Sequence, residues 1–292
     1  MTLRYHISRT IARFLPDKLY LSIKYYTRFG YWMDWNNPQT FCEKLQWLKV
    51  YDRHEEYTTM VDKAAAKDYV ASIIGDEYII PTLAVYGSAD DIDFDKLPNQ
   101  FVLKCTHDSG GLVVCRDKST LDIEAAREKL KKGLKRTYII QNREYPYKNV
   151  PRRIIAEQYM EDESGYELKD YKFFCFDGEP KCLFVATDRG VEGKETKFDF
   201  FDMEWNHLPF TNGHPNSVCP PKKPENFETM KEIAAKLSVG IPHVRVDLYN
   251  VNGKIYFGEL TFFHWGGMKP FKPREWDYKL GEMIKLPKQR FK

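Results

Sequence analysis

No run in this 292-residue chain approaches the roughly 20 apolar residues of a membrane-spanning helix. The opening stretch, MTLRYHISRTIARF, has no continuous apolar core, so it is not expected to serve as a secretory signal. The six cysteines, at 42, 105, 115, 175, 182 and 219, form no C-x-x-C pair and show no metal-ligand spacing. They read as buried thiols of a cytoplasmic protein rather than a disulfide framework or a zinc site. Lys and Arg number 45 against 42 Asp and Glu, a net charge of +3. That balance does not suit a dedicated nucleic-acid binder, so no nucleic-acid partner is expected. Neither G-x-x-x-x-G-K-[ST] nor G-x-G-x-x-G occurs, which excludes a P-loop and a Rossmann phosphate site.

What the chain does have is a glycine loop between two apolar runs. In QFVLKCTHDSGGLVVCRDK, Phe101–Thr106 reads as a strand with one lysine, Lys104, set inside it, and Leu112–Cys115 as a second strand. A lysine in an apolar strand is expensive to bury, so it should face a cleft or an anion. The intervening His107, Asp108, Ser109, Gly110 and Gly111 let backbone N–H groups approach a ligand closely. Taken alone, the stretch also reads as a plain hairpin with an edge lysine.

Residues 1–35 are basic and intermittently apolar. Leu3, Ile7, Ile11 and Phe14 recur at helical spacing among Arg4, Arg9 and Arg13. This pattern fits a membrane-surface or partner-docking helix, peripheral to an inner membrane face, and equally a helix packed on the body. Thr40 and Glu43 form a capping box that opens a helix through about Tyr51. Asp62 can cap a helix from Lys63 to about Ile74, closed by Gly75. Asp122 caps another, carrying Ile123, Ala126, Leu130 and Leu134. Asp91 and Asp93 form a D-x-D string in an acidic loop, which reads as Asx turns or as a weak glycosyltransferase signal.

Arg153–Met160 is the next strand, and residues 170–186 form a hairpin turning at Asp177-Gly178. In His243–Thr261, Val244, Val246 and Leu248 alternate with His243, Arg245, Asp247 and Tyr249, one apolar face and one chemical face. A three-residue loop at 251–253 would pair Arg245 with Glu259 and make Asp247 and Glu259 diagonal neighbours, roughly 7–8 Å apart. A two-residue Asn252-Gly253 turn would put those carboxylates on opposite faces. The first register admits a hard cation between them. It also admits a structural Arg–Glu pair with Asp247 solvated. His107, His214, His243 and His264 read either as hydrogen-bonding groups or as aids to proton transfer.

These segments, in order, resemble the ATP-grasp fold and, more narrowly, the teichuronopeptide-type (TupA-like) ATP-grasp family, often labelled glycosyltransferases in bacterial polysaccharide clusters. The matching stretches are NPQTFCEKLQWLKVYDR, VDKAAAKDYV, FVLKCTHDSGG, LKDYKFFCFDGEPK and VRVDLYNVNGKIYFGELTFFHWGG. The resemblance implies an α+β chain of three parts: a helical region at 1–61, a lid subdomain with the glycine loop at 62–160, and a C-terminal subdomain with a metal-binding hairpin at 161–292. It implies ATP and Mg²⁺. Lys63 and Lys104 match the phosphate lysines, and Ser109, Gly110 and Gly111 the mobile loop, with His107 beside it. Glu157, Gln158, Tyr159 and Met160 match the adenine-reading hinge. Asp170 falls at the ribose position, with Lys172 close by. Asp247 and Glu259 match the metal ligands. Thr261 stands where the family pattern usually has Asn. Arg245 matches the arginine that steadies a developing anion, Gly266 and Gly267 the oxyanion turn, and His264 lies beside it.

The activity so implied is ATP-dependent amide formation. A carboxylate takes the γ-phosphoryl group and an amine displaces phosphate, with ADP released. The family context suggests a uronic-acid glycan or nucleotide sugar as acceptor, in bacterial surface polysaccharide biosynthesis, and a small amine or amino acid as donor. A glycosyltransferase acting through Asp91 and Asp93 and a small-molecule kinase on the same fold are the alternatives.

Overall fold

The computed structural model describes residue 12 and residues 14–288, apart from 109, 163, 166, 167, 190 and 192. The expected helix through Leu3, Ile7 and Ile11, and the loop residue Ser109, therefore lie outside the described residues. Eight helices and nine strands make up the described chain. The helices are α1 (Asp17–Phe29), α2 (Phe41–Tyr51), α3 (Glu56–Val61), α4 (Ala65–Ile74), α5 (Ile123–Leu134), α6 (Tyr138–Asn142), α7 (Phe227–Ser238) and α8 (Glu275–Met283). The strands are β1 (Thr82–Tyr86), β2 (Phe101–Cys105), β3 (Leu112–Cys115), β4 (Ile154–Gln158), β5 (Asp170–Phe176), β6 (Glu179–Thr187), β7 (Lys197–Asp202), β8 (Val244–Val251) and β9 (Lys254–Thr261).

The strands form two antiparallel sheets, so the chain is α+β. The smaller has the order β1-β4-β2-β3 and the larger β7-β6-β5-β8-β9. Each has its own core. Phe101, Leu103 and Ala156 of the small sheet pack on Ala126 and Leu130 of α5. In the large sheet, all seven residues of β5 are buried, because helices cover both faces. Alternation sends Phe173 to one face, stacked on Phe227 of α7 at 5.9 Å, and Phe174 to the other, 5.7 Å from Phe41 of α2. Ala66 and Val70 of α4 also join this larger core. Packing thus groups residues 65–74 with the large sheet, although they precede the small one in sequence.

Local chemistry explains where elements begin. The Thr40 hydroxyl accepts the Glu43 N–H while the Glu43 carboxylate accepts the Thr40 N–H, closing the expected capping box on α2. Asp122 accepts the Ala125 N–H at 2.9 Å and starts α5. Asp62 accepts the Ala64 N–H at 3.0 Å, and α4 begins at Ala65, so Lys63 precedes the helix instead of opening it.

The β8–β9 hairpin corrects the expected register. Its turn has two residues, Asn252 and Gly253, both at positive φ (52° and 84°), with Val251 facing Lys254. That turn alone would separate Asp247 from Glu259. A bulge intervenes: Leu248 faces Phe257, but Asp247 faces Glu259, so Gly258 is one residue extra in β9. A side chain at 258 would meet the Asp247 carbonyl at 3.0 Å and the Tyr249 ring at 3.1 Å. The bulge returns the two carboxylates to one face, directly opposed.

Candidate active site

The two sheets share a cleft of about 860 Å³. On the small-sheet wall, Val102 faces Glu157 across the β2–β4 ladder, and Lys104 lies two residues on, hence on the same face. Lys104 Nζ is 2.6 Å from one Glu157 oxygen, and Lys67 Nζ of α4 is 2.5 Å from the other. Lys67 also donates to the Ile80 carbonyl and the Thr82 hydroxyl. Burial pushes the Glu157 carboxyl up, but Lys104 and Lys67 outweigh it and hold the group below the usual range.

On the large-sheet wall, three strands align one row of charge. Lys172 of β5 faces Asp247 of β8, which faces Glu259 of β9. In the next row Phe174 faces Arg245, which faces Thr261. Asp247 is fully buried: its Oδ1 accepts Arg245 Nε–H and its Oδ2 accepts Arg245 Nη2–H, each at 2.7 Å, with Lys172 also on Oδ2. Asp170 contacts Lys172 at 3.2 Å and Arg189. Burial raises the Asp170 carboxyl, but Lys172 and Arg189 together lower it. Glu259 opens to the cleft, 3.6 Å from Lys63 Nζ and 3.4 Å from Arg245 Nη2. Burial opposes its ionisation, yet Lys63, Lys172, Arg245 and Arg189 hold it well below the usual carboxylate range.

This floor gathers six cations (Lys63, Lys67, Lys104, Lys172, Arg189 and Arg245) around four carboxylates (Glu157, Asp170, Asp247 and Glu259). Lys63, Lys104, Lys172 and Arg189 of this set line the cleft itself, where their donors can take phosphate oxygens. Gln158, Tyr159 and Met160 line the same cleft where the chain leaves β4. The Gln158 N–H is engaged by the Pro81 carbonyl at 3.1 Å. Asp108 and Gly111 of the glycine loop also line it. Gly110 lies against the Arg136 guanidinium instead, which holds Asp108 at 3.1 Å. His107 is buried behind the loop, where burial and Arg152 lower its pKa.

Two parts of the expected set are placed differently. The Thr261 hydroxyl accepts Arg245 Nη2–H at 3.0 Å, so it serves the guanidinium. The Gly266 N–H donates to the Phe263 carbonyl at 2.7 Å and closes its own turn, so it is not open to an oxyanion. That turn runs through Trp265, Gly266 and Gly267 at φ 50°, 61° and 62°. It is tied down by Gln46, which donates to the Gly266 and Gly267 carbonyls, and by buried Lys49, 2.6 Å from the Gly266 carbonyl.

His264 is a hydrogen-bonding group. Its Nδ1 accepts Arg245 Nη1–H at 2.7 Å and its Nε2 donates to Asn212 Oδ1 at 3.0 Å. The Asn212 amide donates to the Lys269 and Pro270 carbonyls, which fixes its orientation and hence the imidazole tautomer. Burial, reinforced by Arg245, holds the His264 pKa well below its ordinary value. His243 is likewise buried and neutral, on the Cys175 carbonyl at 3.0 Å. His214 lies 4.5 Å from the Phe198 ring, away from the cleft. Asp91 and Asp93 accept the N–H groups of Ser88 and Asp95 in a loop that does not line the cleft. The sequence reading missed Lys67, Arg189 and Asn212. Only Lys67 left a trace, four residues after Lys63 and so one helical turn along.

Two antiparallel sheets closing on a cleft lined by lysines and carboxylates, with a lysine strand ahead of a glycine loop, make this an ATP-grasp protein. The TupA-like ATP-grasp family matches residues 43–285, and the chain belongs to it. No curated protein matches. Among solved structures, D-alanine–D-alanine ligase from Bacillus anthracis complexed with ATP aligns at TM-score 0.42 and 16% identity, over 77% of this chain and 63% of that one. The L-amino acid ligase from Bacillus licheniformis aligns at 0.42 and 15%, over 72% and 43%. The ATP-grasp ligase PsnB with minimal precursor, Mg and ADP aligns at 0.39 and 10%, over 75% and 57%. This chain thus spans less than two thirds of the length of each.

Proposed function

We propose that the chain is an ATP-dependent carboxylate–amine ligase, and that ATP is the polyanion its cleft binds. The observation that carries this is that Lys63, Lys104, Lys172 and Arg189 line one cleft between the two sheets. Lys63 and Lys104 take phosphate oxygens, which requires Lys104 to leave Glu157 and Lys63 to turn from Glu259. Tyr159 and Met160 offer main-chain groups to the base, and Asp170 sits for the ribose.

Asp247 and Glu259 would hold Mg²⁺, with Lys172 leaving Asp247 Oδ2 and the Arg245 Nη2–H giving up the same oxygen while its Nε–H stays on Oδ1. No three His, Cys, Asp or Glu side chains gather as a metal cage among the described residues. Two carboxylates together with phosphate oxygens are the usual way Mg²⁺ is held. When bound, it would neutralise β- and γ-phosphate oxygens.

In the reaction, an oxygen of the acceptor carboxylate bonds to the γ-phosphorus while its bond to the β-bridging oxygen breaks, and ADP leaves. The amine nitrogen then bonds to the acyl carbon, phosphate leaves, and the nitrogen loses a proton. Arg245, held by Asp247, Thr261 and His264, is placed to steady the negative charge. Gly267 and the turn around it border the acceptor side. The acceptor is a uronic-acid carboxylate on a glycan or nucleotide sugar of a bacterial surface polysaccharide. The donor is a small amine or amino acid.

ADP release tests the reading. It should require both a uronic-acid acceptor and an amine, and fall about 10²–10³-fold in Lys104→Ala. ADP release that ignores the amine would make the enzyme a kinase. Stabilisation by a nucleotide sugar and none by ATP would overturn the ligase.

A further inference from the structure

Trp265 is 45% exposed, yet its ring is held in place. Its φ of 50° lies in the left-handed region, which a bulky residue rarely adopts. Gly213 packs on one edge of the indole: a Cβ there would meet Nε1 at 2.9 Å and Cε2 and Cζ2 at 3.0 Å. The Phe198 ring lies at 29° to the indole with centroids 6.3 Å apart, and the His214 ring is 6.0 Å away. The loop and the turn are also fastened to each other. Asn212 donates to the Lys269 and Pro270 carbonyls, and Thr211 and Lys272 exchange backbone hydrogen bonds at 2.8 and 3.0 Å. A ring that served only the core would be covered. This one is presented, at a cost in backbone strain.

Strand pairing puts the indole on the cleft side of the large sheet. Phe198 of β7 faces Ala186 of β6, which faces Asp170 of β5, which faces Tyr249 of β8. Paired residues project to one face, so Phe198 and the indole against it share the face of Asp170 and Tyr249, which line the cleft. Two strand spacings, roughly 10 Å, separate Phe198 from Asp170. The His264 ring lies 6.0 Å from the indole, and its Nδ1 accepts Arg245 Nη1–H. One imidazole thus separates the indole from the guanidinium placed to steady the acceptor's charge. Lys269 Nζ stands over the indole, 5.8 Å from its centroid, with no acid partner among the described residues.

We propose that Trp265 is the platform on which a pyranose ring of the acceptor stacks, with Lys269 donating to oxygens of that sugar. The proposal rests on the ligase reading of the cleft and deepens it, because it names what selects a sugar acid over a simple carboxylic acid. The C–H face of a pyranose is apolar and its rim is polar, so it meets an indole by its face and an ammonium by its rim. A short acyclic carboxylate has no such face to lay on the ring.

The test is a saturation-transfer NMR titration of the full chain, with Mg²⁺ and a non-hydrolysable ATP analogue, against trigalacturonate, triglutamate and glutarate. Wild type should bind trigalacturonate at least about tenfold more tightly than either acyclic acid. Trp265→Ala should weaken trigalacturonate about tenfold and leave glutarate unchanged, and Trp265→Phe, which keeps a ring, should stay within about threefold of wild type. Undiminished trigalacturonate binding by Trp265→Ala would overturn the proposal, as would an equal loss for glutarate. Triglutamate that binds as tightly, with the same dependence on Trp265, would overturn the assignment to a sugar. Should Trp265→Ala melt early, Lys269→Gln decides: it should weaken trigalacturonate at least about threefold, and undiminished binding overturns the proposal. The Mg-ATP thermal shift separates this claim from the ligase reading. Wild type that shifts with Mg-ATP but binds no trigalacturonate overturns the platform alone. Wild type that binds trigalacturonate through Trp265 but releases no ADP with ATP and an amine supports the platform and removes the ligase.

Discussion

Asp247 faces Glu259 across the β8–β9 ladder because Gly258 is one residue too many for regular pairing. Removing Gly258 takes out the bulge and leaves Glu259 directly after Phe257, still facing Asp247 in an unbroken ladder. The Gly258 deletion should therefore keep a folded chain, with near-native far-ultraviolet circular dichroism, and keep the thermal shift produced by Mg-ATP, whereas Glu259→Gln should lose that shift. A ligand at 100 times its Kd adds about 2.7 kcal/mol of stability, so the loss is measurable. A Glu259→Gln variant that still shifts would show that the opposed carboxylates do not serve the nucleotide.

Gly258→Val tests crowding at the same residue. Its side chain would press on the Asp247 carbonyl and the Tyr249 ring, at 3.0 and 3.1 Å from the new Cβ. Overpacking of this kind costs about 1–3 kcal/mol. Urea unfolding should show that cost, and a neutral result would mean that the bulge opens readily.

Much of this was legible beforehand, for physical reasons. Helix starts at Phe41 and Ile123 follow from side chains that satisfy N–H groups a few residues away, so local sequence sufficed. The α+β class and the glycine-loop hairpin follow from short apolar runs with turn residues between them. The bulge was not legible, because Gly258 has an unexceptional neighbourhood in sequence. Only pairing with β8 reveals that it is extra. The pairing of Lys67 with Glu157 was obscure for a similar reason. Their contact joins residues ninety positions apart, and a lysine in an alanine-rich helix looks like solvated surface. His264 sat in the right place, but its hydrogen bonds to Arg245 and Asn212 come from two distant segments.

Glu157 should prove a stability residue as well as a site residue. Both of its oxygens contact lysines, and it is buried. Glu157→Ala leaves Lys67 buried without its counter-charge. Breaking a buried pair in this way costs about 3–5 kcal/mol. Equilibrium denaturation should report that loss, and Glu157→Ala/Lys67→Met should recover part of it. If the double variant is no better than the single, Lys67 does not depend on Glu157.

A chelator separates fold from site. No cage of three or more ligands exists among the described residues, and the carboxylates are already balanced by lysine and arginine. EDTA should therefore leave the melting temperature of the nucleotide-free protein unchanged and abolish the ATP-dependent shift. A drop in the nucleotide-free melting temperature would point to a structural metal.

His243 gives the pH dependence its sign. Burial among Phe41, Phe174 and Phe176 lowers its pKa from 6.5 to about 3, against the opposing hydrogen bond to Cys175. The unfolded chain then binds a proton below pH 6.5 that the folded chain refuses until about pH 3. The unfolded state holds more protons across that window, so stability falls as pH falls. Between pH 7 and pH 5 one such imidazole withdraws about 2 kcal/mol. His243→Gln keeps a donor for the Cys175 carbonyl and removes the titration. Urea midpoints measured from pH 7 to pH 5 should therefore fall less steeply in the variant than in wild type. His264, buried and neutral on Arg245, contributes in the same direction, so the slope should shrink without vanishing. Parallel slopes in the two proteins would mean that His243 takes up its proton in the folded state, and that Phe41 and Phe174 do not exclude the charge.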